Sequence, residues 1–564
     1  MILDLDDDRA QDPGRAGAKA AWLARGRRAG LPVLPGRVVV AAASRPAMAL
    51  GLEVMERRGS GGARLRISQE PLPEDLESEL TGCLDGLGDL LVVRSSSVLE
   101  GGGEWSGAFT SYLDIRPHEA AVAVRGCWAS AFTVHTLERY EAARIEPGSA
   151  PMAVLIQPFL DADFGGVARY VDGEVTVIGV RGSPAPLVQG WDPGSHARVS
   201  GDVVRGDAAV ALMGEDLVLE VAGTLRRAHD TIGATSCEWA AVDGEVTLLQ
   251  LMQSAERSRP VLEVPPALAS PPAAELARLV RRFPGPLGEA LVLPWAVADP
   301  GRFMDPVEPA QVDPAQVDPA QVDPVDALIE ATEMVRGLVA EIWHGPKPET
   351  SAKAREVLRE LRGDDPGAAL DQFGLLRSPD ADRGEEILAL LARVRHGLVE
   401  AGAVSRPEIA WHISAEEAMS ILRAGRAPAL RTRIGFDRWE PYDAGVVIAH
   451  GEVANGTPAA PGVAAGRMCF VSDPADADHF RPRDVVVGTH PLPNLAALLW
   501  DAAALVTTGG GPAAHLFESA RALAIPAVAA VHLDDILGGD PATMSGQVTL
   551  AVDGVEGRVW AHEW

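Results

Sequence analysis

Apolar and polar positions at the start of the chain read strand, turn, helix, strand. Residues 17–30, GAKAAWLARGRRAG, have helical character that stops at Gly30. The next ten, LPVLPGRVVV, pass through Pro32, Pro35 and Gly36 into an apolar strand. A second apolar run, DLLVVRSSS (89–97), opens into a glycine-rich loop, LEGGGEWSGAF (99–109), and helical text follows around 118–143. Strands return at MAVLIQPFL (152–160), at 165–180 and at GEVTLLQLM (244–252). This mixture predicts an α/β domain of two lobes over 1–262.

The texture then changes. Residues 263–308 are rich in Pro and Ala, and PAQVDPAQVDPAQVDP (309–324) is a true repeat. Proline at every fifth position forbids a regular helix, so the repeat reads as an extended linker or surface loop. VDALIEATEMVRGLVAEIW (325–343) and much of 385–425 have helical periodicity, with Ser414 and Glu417 spaced as a capping box. Residues 263–445 therefore read as a mostly helical middle domain. From 446, VVIAHGEVANGTPAAPGVAAGRMCFV, DVVVGTH and ALVTTGGG look like strands between Gly/Pro turns, and HLFESARALAIPAVAAV looks like a helix running into a strand. A compact α/β domain of roughly 120 residues (446–564) is expected there.

At 564 residues the chain is too long for one core, and at ~100–200 residues per domain three or four domains are expected. Its formal charge of −29 argues against a nucleic-acid partner, which would require clustered Lys and Arg. Cys83, Cys127, Cys237 and Cys469 are scattered, with no CxxC pair, which suits a reducing compartment and offers no zinc site. The acidic N-terminus is unlike a signal peptide, and no apolar run approaches the ~20 residues of a membrane span. A cytoplasmic address without membrane contact is expected. Oligomeric state is not legible.

The most informative text is ALVTTGGGPAAHLFESARALAIPAVAAV (504–531). An apolar strand ends in glycines, and His515 follows where a helix should begin. A helix N-terminus presents free N–H groups and partial positive charge, which keep an imidazole neutral and would stabilise a phosphate attached to it. A structural histidine at a helix cap is the other reading of this local chemistry.

The segment resembles the phosphohistidine motif of the PEP-utilising enzymes, GGxxSHxAIxARELGIPAV, a family that includes PEP synthase, pyruvate phosphate dikinase and rifampicin phosphotransferase. Gly510, Gly511, His515, Ala520, Arg521, Leu523, Ile525, Pro526, Ala527 and Val528 fall in register. The resemblance implies that His515 carries a phosphoryl group on a swivelling domain, with Arg521 as its catalytic partner and Gly510 and Gly511 in the phosphohistidine loop. Ala513 and Ala514 stand where the family has Thr-Ser, so a hydroxyl that could bind phosphate is absent.

The N-terminal third resembles the family's ATP-grasp domain. GAKAAWL is similar to GGKGANL, which implies Lys19 on the nucleotide phosphates. VVRSSSVLEGGGEWSGAFTSYL is similar to VRSSATAED…FAGQxxTYL, which implies Arg94 on the phosphates and the 99–107 loop, with Gly101, Gly102 and Gly103, as a lid over them. Gln157–Leu160 would be the hinge against adenine. CEWAAVDGEVTLLQ (237–250) is similar to the IEWA…LQ end of the domain, which implies that Glu238 and Gln250 hold Mg²⁺, for which a carboxylate and an amide oxygen are suitable hard ligands.

Three departures bear on that site. Met252 replaces the arginine of LQxRP, His135 stands where an arginine is common, and Ala185 replaces the acid of GLGE. Loss of two charge-assisted hydrogen bonds at ~1.5–3 kcal/mol each weakens phosphate binding by roughly 10²–10⁴. Arg125, Arg139, Arg257 and Arg259 are the candidates to compensate.

The resemblance thus implies a multidomain α/β dikinase-type phosphotransferase. It would move the β-phosphate of ATP through phospho-His515 to a small-molecule acceptor in the middle domain and release AMP and phosphate. About 50 residues follow His515, too few for the ~250-residue pyruvate barrel of PEP synthase, so another acceptor is expected, in antibiotic modification or secondary-metabolite biosynthesis. The second reading is a family member with an eroded nucleotide site, serving as a binding or regulatory protein or using another phosphoryl donor.

Overall fold

The computed structural model describes residues 1–253, 323–344, 381–403, 410–411, 413–425, 440–472, 477 and 479–563. The proline-rich stretch 263–308, the repeat through residue 322, and Arg257 and Arg259 lie outside them. The described chain is a mixed α/β structure built on three sheets.

The first sheet has the order Ile2–Asp4, Arg37–Val39, Met152–Pro158, Leu91–Ser97, Ser111–Ile115, with every neighbour antiparallel. Its central strand Met152–Pro158 is apolar on both faces because both are covered. Met152, Val154 and Ile156 enter one core with Trp105, Trp128 and Phe132, while Ala153 and Leu155 enter the other with Leu23 and Trp239. The period-two alternation of a strand divides these neighbours between the two cores.

The second sheet runs Glu245–Met252, Ser236–Val242, Phe164–Val171, Glu174–Arg181, Ser195–Ser200, Val203–Arg205, again antiparallel throughout. The helix Glu215–Ile232 covers it with Leu217, Val218, Val221, Ala222, Leu225 and Ala228, a stripe with helical spacing.

Between Pro13 and Arg28 the helix contains a break at Gly17, whose φ is +72°. A Cβ there would lie 1.9 Å from the Ser96 carbonyl oxygen, so only glycine lets this backbone press onto the strand Leu91–Ser97. The Ser96 hydroxyl accepts from the Ala20 N–H at 3.1 Å, which fixes the helix start beside that strand.

In the middle section the described helices are Pro324–His344, Ala381–Glu400 and Ala415–Ala424. Ser414 and Glu417 form the capping box expected from their spacing, with Ser414 Oγ accepting from the Glu417 N–H at 3.2 Å. The Arg395 guanidinium lies 4.5 Å from the Trp411 ring centre.

The third sheet has eight strands, parallel through Val463–Phe470, Val485–Gly488, Ala504–Thr507 and Ala527–Ala529, and antiparallel towards both edges. The helix His515–Ala522 connects two of the parallel strands. One element departs from the sequence reading. VVIAH is not a strand but the end of a helix, Glu440–His450. Ala444 and Val447 are one helical turn apart, and both pack on Ala465 and Ala551 of the sheet, so tertiary burial overrides the strand preference of Val446, Val447 and Ile448.

Candidate functional site

A cavity of about 570 Å³ opens between the first two sheets and the start of the His515–Ala522 helix. Strand alternation supplies much of its wall. On Leu91–Ser97, Leu91 and Val93 point into core while Val92 and Arg94 line the cavity. On Ser236–Val242, Cys237, Trp239 and Ala241 are core residues, and Glu238 and Ala240 face the cavity. On Glu245–Met252 the side chains of Leu248 and Leu251 are buried, and Gln250 and Met252 line the cavity. Glu238 and Gln250 are direct partners in the register of these two strands, beside an irregularity at Glu238/Trp239.

The break at Gly17 delivers Lys19 to this wall. Its Nζ lies 2.5 Å from Glu100 Oε1 and 3.5 Å from the Ser95 carbonyl oxygen. Glu100 is buried and also accepts from the Ser97 N–H at 2.9 Å, in a capping box with Ser97. Arg94 donates to the Leu249 carbonyl at 2.9 Å, and Gln157 Nε2 donates to the Leu34 carbonyl at 3.0 Å. Pro158, Phe159 and Leu160 continue the wall beside Gln157.

His515 is the first residue of its helix and lines the same cavity. Its Nδ1 is 2.8 Å from the Ser106 hydroxyl, across 409 residues of chain. Burial pushes the ring below the ordinary imidazole range; Lys19 and Arg139 add to this and Glu238 and Glu518 oppose it. The ring is therefore neutral at pH 7, as a nucleophile must be. Gly107, with φ +67°, permits the close contact: a Cβ there would sit 3.0 Å from His515 Cβ and Cδ2.

Lys19, Arg94, Gln157, Glu238, Gln250 and His515 are thus brought together, as are the departures His135, Ala185 and Met252. Other residues singled out in the sequence lie elsewhere. Gly101, Gly102 and Gly103 do not line the cavity; Trp105, buried against Phe109 and Tyr140, anchors the loop, and Gly103 faces Ala522 and Glu518 instead. Glu100, Ser106 and Gly107 are the parts of that loop that reach the cavity.

Arg521 is also absent from the cavity wall. It is buried, donates to the Ala459 and Pro512 carbonyls at 2.7 and 3.2 Å, and pairs with Glu518 at 2.6 Å. Gly510 and Gly511 pack closely on Pro491 and Pro193, so they serve approach between chain segments rather than the cavity surface. Arg139 does not compensate for Met252, because its guanidinium donates to the carbonyls of Ser106 and Pro493 at 2.8 and 2.6 Å. Burial lowers it to about 10.

Sequence reasoning missed Ser106, Glu100 and Asn494, the last of which lines the cavity with a buried Oδ1 that has no partner among the described residues. Only Glu100 carried a local signal, its spacing from Ser97. Among the described residues no helix is long and apolar enough to cross a membrane, and no three His, Cys, Asp or Glu side chains cluster as a metal site. None of the four cysteines forms a disulfide among the described residues.

Residues 14–191 match the family described as pyruvate phosphate dikinase, AMP/ATP-binding domain, and residues 480–557 match the PEP-utilising enzyme, mobile domain. Prodigiosin synthesizing transferase PigC of Serratia marcescens is 27% identical over 310 residues, 53% of this chain and 32% of its own length. A probable phosphoenolpyruvate synthase of Methanothermobacter thermautotrophicus is 27% identical over 393 residues, 65% of this chain and 50% of its own. The chain therefore spans about a third to a half of the length of these relatives. Among solved structures, the N-terminal domain of Enzyme 1 - Nitrogen covers 43% of this chain and 79% of its own at 17% identity, with a TM-score of 0.13, too low to bear on the fold. With an AMP/ATP-binding match at one end, a mobile-domain match at the other and phosphoenolpyruvate synthases among its relatives, the chain belongs to the PEP-utilising enzyme family.

Proposed function

We propose that this chain is a dikinase-type phosphotransferase in which an ATP-grasp-like site charges His515 with the β-phosphate of ATP. The observation that carries this reading is the meeting of a neutral, cavity-facing His515 with Lys19, Arg94, Glu238 and Gln250 around one space of about 570 Å³. That volume lies within the range of small-ligand pockets, ~300–1,000 Å³.

In this reading adenine lies against Gln157–Leu160, and Lys19 and Arg94 neutralise the phosphates. Glu238 and Gln250 fit Mg²⁺, since both are hard oxygen donors, paired across two strands and facing the cavity. When bound, Mg²⁺ would neutralise phosphate charge; phosphate oxygens and water would complete its shell. A lone pair of His515 attacks the β-phosphorus, the bridging P–O bond to the α-phosphate breaks, and AMP leaves. Water then hydrolyses the pyrophosphoryl group, releasing phosphate and leaving phosphohistidine. Catalysis rests on positioning and charge neutralisation. The His515 domain then swings to the middle domain and gives the phosphoryl group to a small-molecule hydroxyl or carboxyl. Similarity to a prodigiosin synthesizing transferase favours a biosynthetic acceptor.

The test is ATP labelled separately at β and γ. Acid-labile, base-stable label should come from β alone, and His515→Ala should abolish it. Label arriving from γ would overturn the reading.

One observation favours a second reading. Met252 and Ala185 line the cavity where the family has an arginine and an acid, and His135 is held below its usual range by burial and Arg139. A site with so few charges suits another phosphoryl donor or a binding role. Absence of ATP binding by the full chain at millimolar ATP and Mg²⁺ would favour it.

A further inference from the structure

Ser106 makes two contacts of different kinds. Its hydroxyl meets His515 Nδ1 at 2.8 Å, and its carbonyl accepts from Arg139 at 2.8 Å. The other arm of Arg139 donates to the Pro493 carbonyl at 2.6 Å, on the same C-terminal portion of chain as His515. Ser106, Arg139, Pro493 and His515 thus close a circuit between the 98–110 loop and the His515 region. Ser106 is buried, and Gly107 beside it leaves room for the imidazole. No partner of His515 Nε2 is seen among the described residues, and the residue lines the cavity.

A neutral imidazole has one N–H and one lone pair, and the hydrogen bond at one nitrogen decides which the other carries. We propose that Ser106 is a positioning residue: its hydroxyl accepts the Nδ1–H of His515 and so leaves the lone pair on Nε2, facing the cavity, only while the C-terminal helix is docked on the loop. The consequence for catalysis rests on the phosphotransfer reading above; the tautomer itself does not. In the transfer step the Nε2–P bond forms as the bridging P–O bond breaks. Nδ1 keeps its proton, donated to the Ser106 hydroxyl, and the positive charge left on the ring offsets the negative charge of the incoming pyrophosphoryl group. Away from the loop, His515 loses this partner and Nδ1 and Nε2 compete for the proton, so the histidine is set for attack at the nucleotide cavity and nowhere else.

The test is ¹⁵N NMR of histidine-labelled full-length protein without nucleotide, with His515→Asn to assign the ring. Wild type and Ser106→Thr should show His515 as the Nδ1–H tautomer. Ser106→Ala should move most of it to Nε2–H. Arg139→Met, which leaves His515 and the hydroxyl intact but frees the Ser106 carbonyl, should shift it the same way. The rate of labelling from β-labelled ATP should fall about tenfold in Ser106→Ala, with ATP affinity unchanged and Ser106→Thr restored. An Nε2–H ring in wild type, or an unchanged tautomer in Ser106→Ala, overturns the proposal. Wild type that shows the Nδ1–H ring but never takes label would leave Ser106's role standing and sink the phosphotransfer reading instead.

Discussion

Glu238 and Gln250 face each other across two antiparallel strands, so a carboxylate and an amide reach the cavity side by side. Each sits on the cavity side of a strand whose opposite face is core, so changing either alters the cavity with little effect on packing. Glu238→Gln or Gln250→Ala should lower labelling from β-labelled ATP by about 10²-fold and raise the Mg²⁺ concentration needed for half-maximal rate. The thermal melt should stay near that of wild type. Equal labelling in both variants would remove this pair from the nucleotide site.

Lys19 and Glu100 form a pair in which both side chains are largely buried, 14% and 3% exposed. Removing the cation strands a buried carboxylate that keeps only its bond from the Ser97 N–H. Lys19→Met should therefore destabilise the fold by about 3–5 kcal/mol in chemical denaturation. Lys19→Met with Glu100→Gln should recover most of that loss while still failing to bind ATP. If the double variant is no more stable than the single, the pair carries no coupling.

Gly17 combines a left-handed φ with contact to the Ser96 carbonyl. Gly17→Ala should cost about 1–3 kcal/mol for the conformation alone, and more because the backbone must move off the strand. Lys19 would shift with it, so weaker nucleotide binding is expected beside a lower melting temperature. A variant with wild-type affinity would separate the position of the helix from nucleotide recognition.

His135, His196 and His515 are all held below 6.5 chiefly by burial. The unfolded chain therefore binds more protons than the folded one as pH falls through that region. Their contribution is fully present above 6.5 and is lost as pH falls through the lowered folded values, so stability should drop on acidification. Unfolding free energies at pH 7.5 and 5.5 should differ less in His515→Gln than in wild type. An equal difference would mean that His515 is not desolvated in solution.

The local text of the chain determined most of its elements and the residue types of the cavity. Period-two alternation around Arg94 and Glu238 needs only a strand with core on one side, and the glycines before His515 need only a tight turn into a helix, whereas Gln250 reaches the cavity through the register shift beside Glu238, since Leu248 two residues earlier is core. It was the resemblance to the PEP-utilising enzymes, more than these local patterns, that nominated Lys19, Arg94, Gln157, Glu238, Gln250 and His515, all of which line one cavity.

What those faces meet was decided by the tertiary structure alone. The contact between Ser106 and His515 spans 409 residues, and no local pattern encodes such a separation. Gly101–Gly103 read as a loop over phosphate, but none of the three lines the cavity, and Gly103 lies against Glu518 and Ala522. VVIAH reads as a strand until Ala444 and Val447 find Ala465 and Ala551. The resemblance implies Arg521 as a catalytic partner of His515, and in the structure its guanidinium is held by Glu518 and two carbonyls. Side-chain periodicity reports which side of an element is apolar. The partner of that side depends on closing long stretches of chain, whose entropic cost is met by the whole set of contacts formed together.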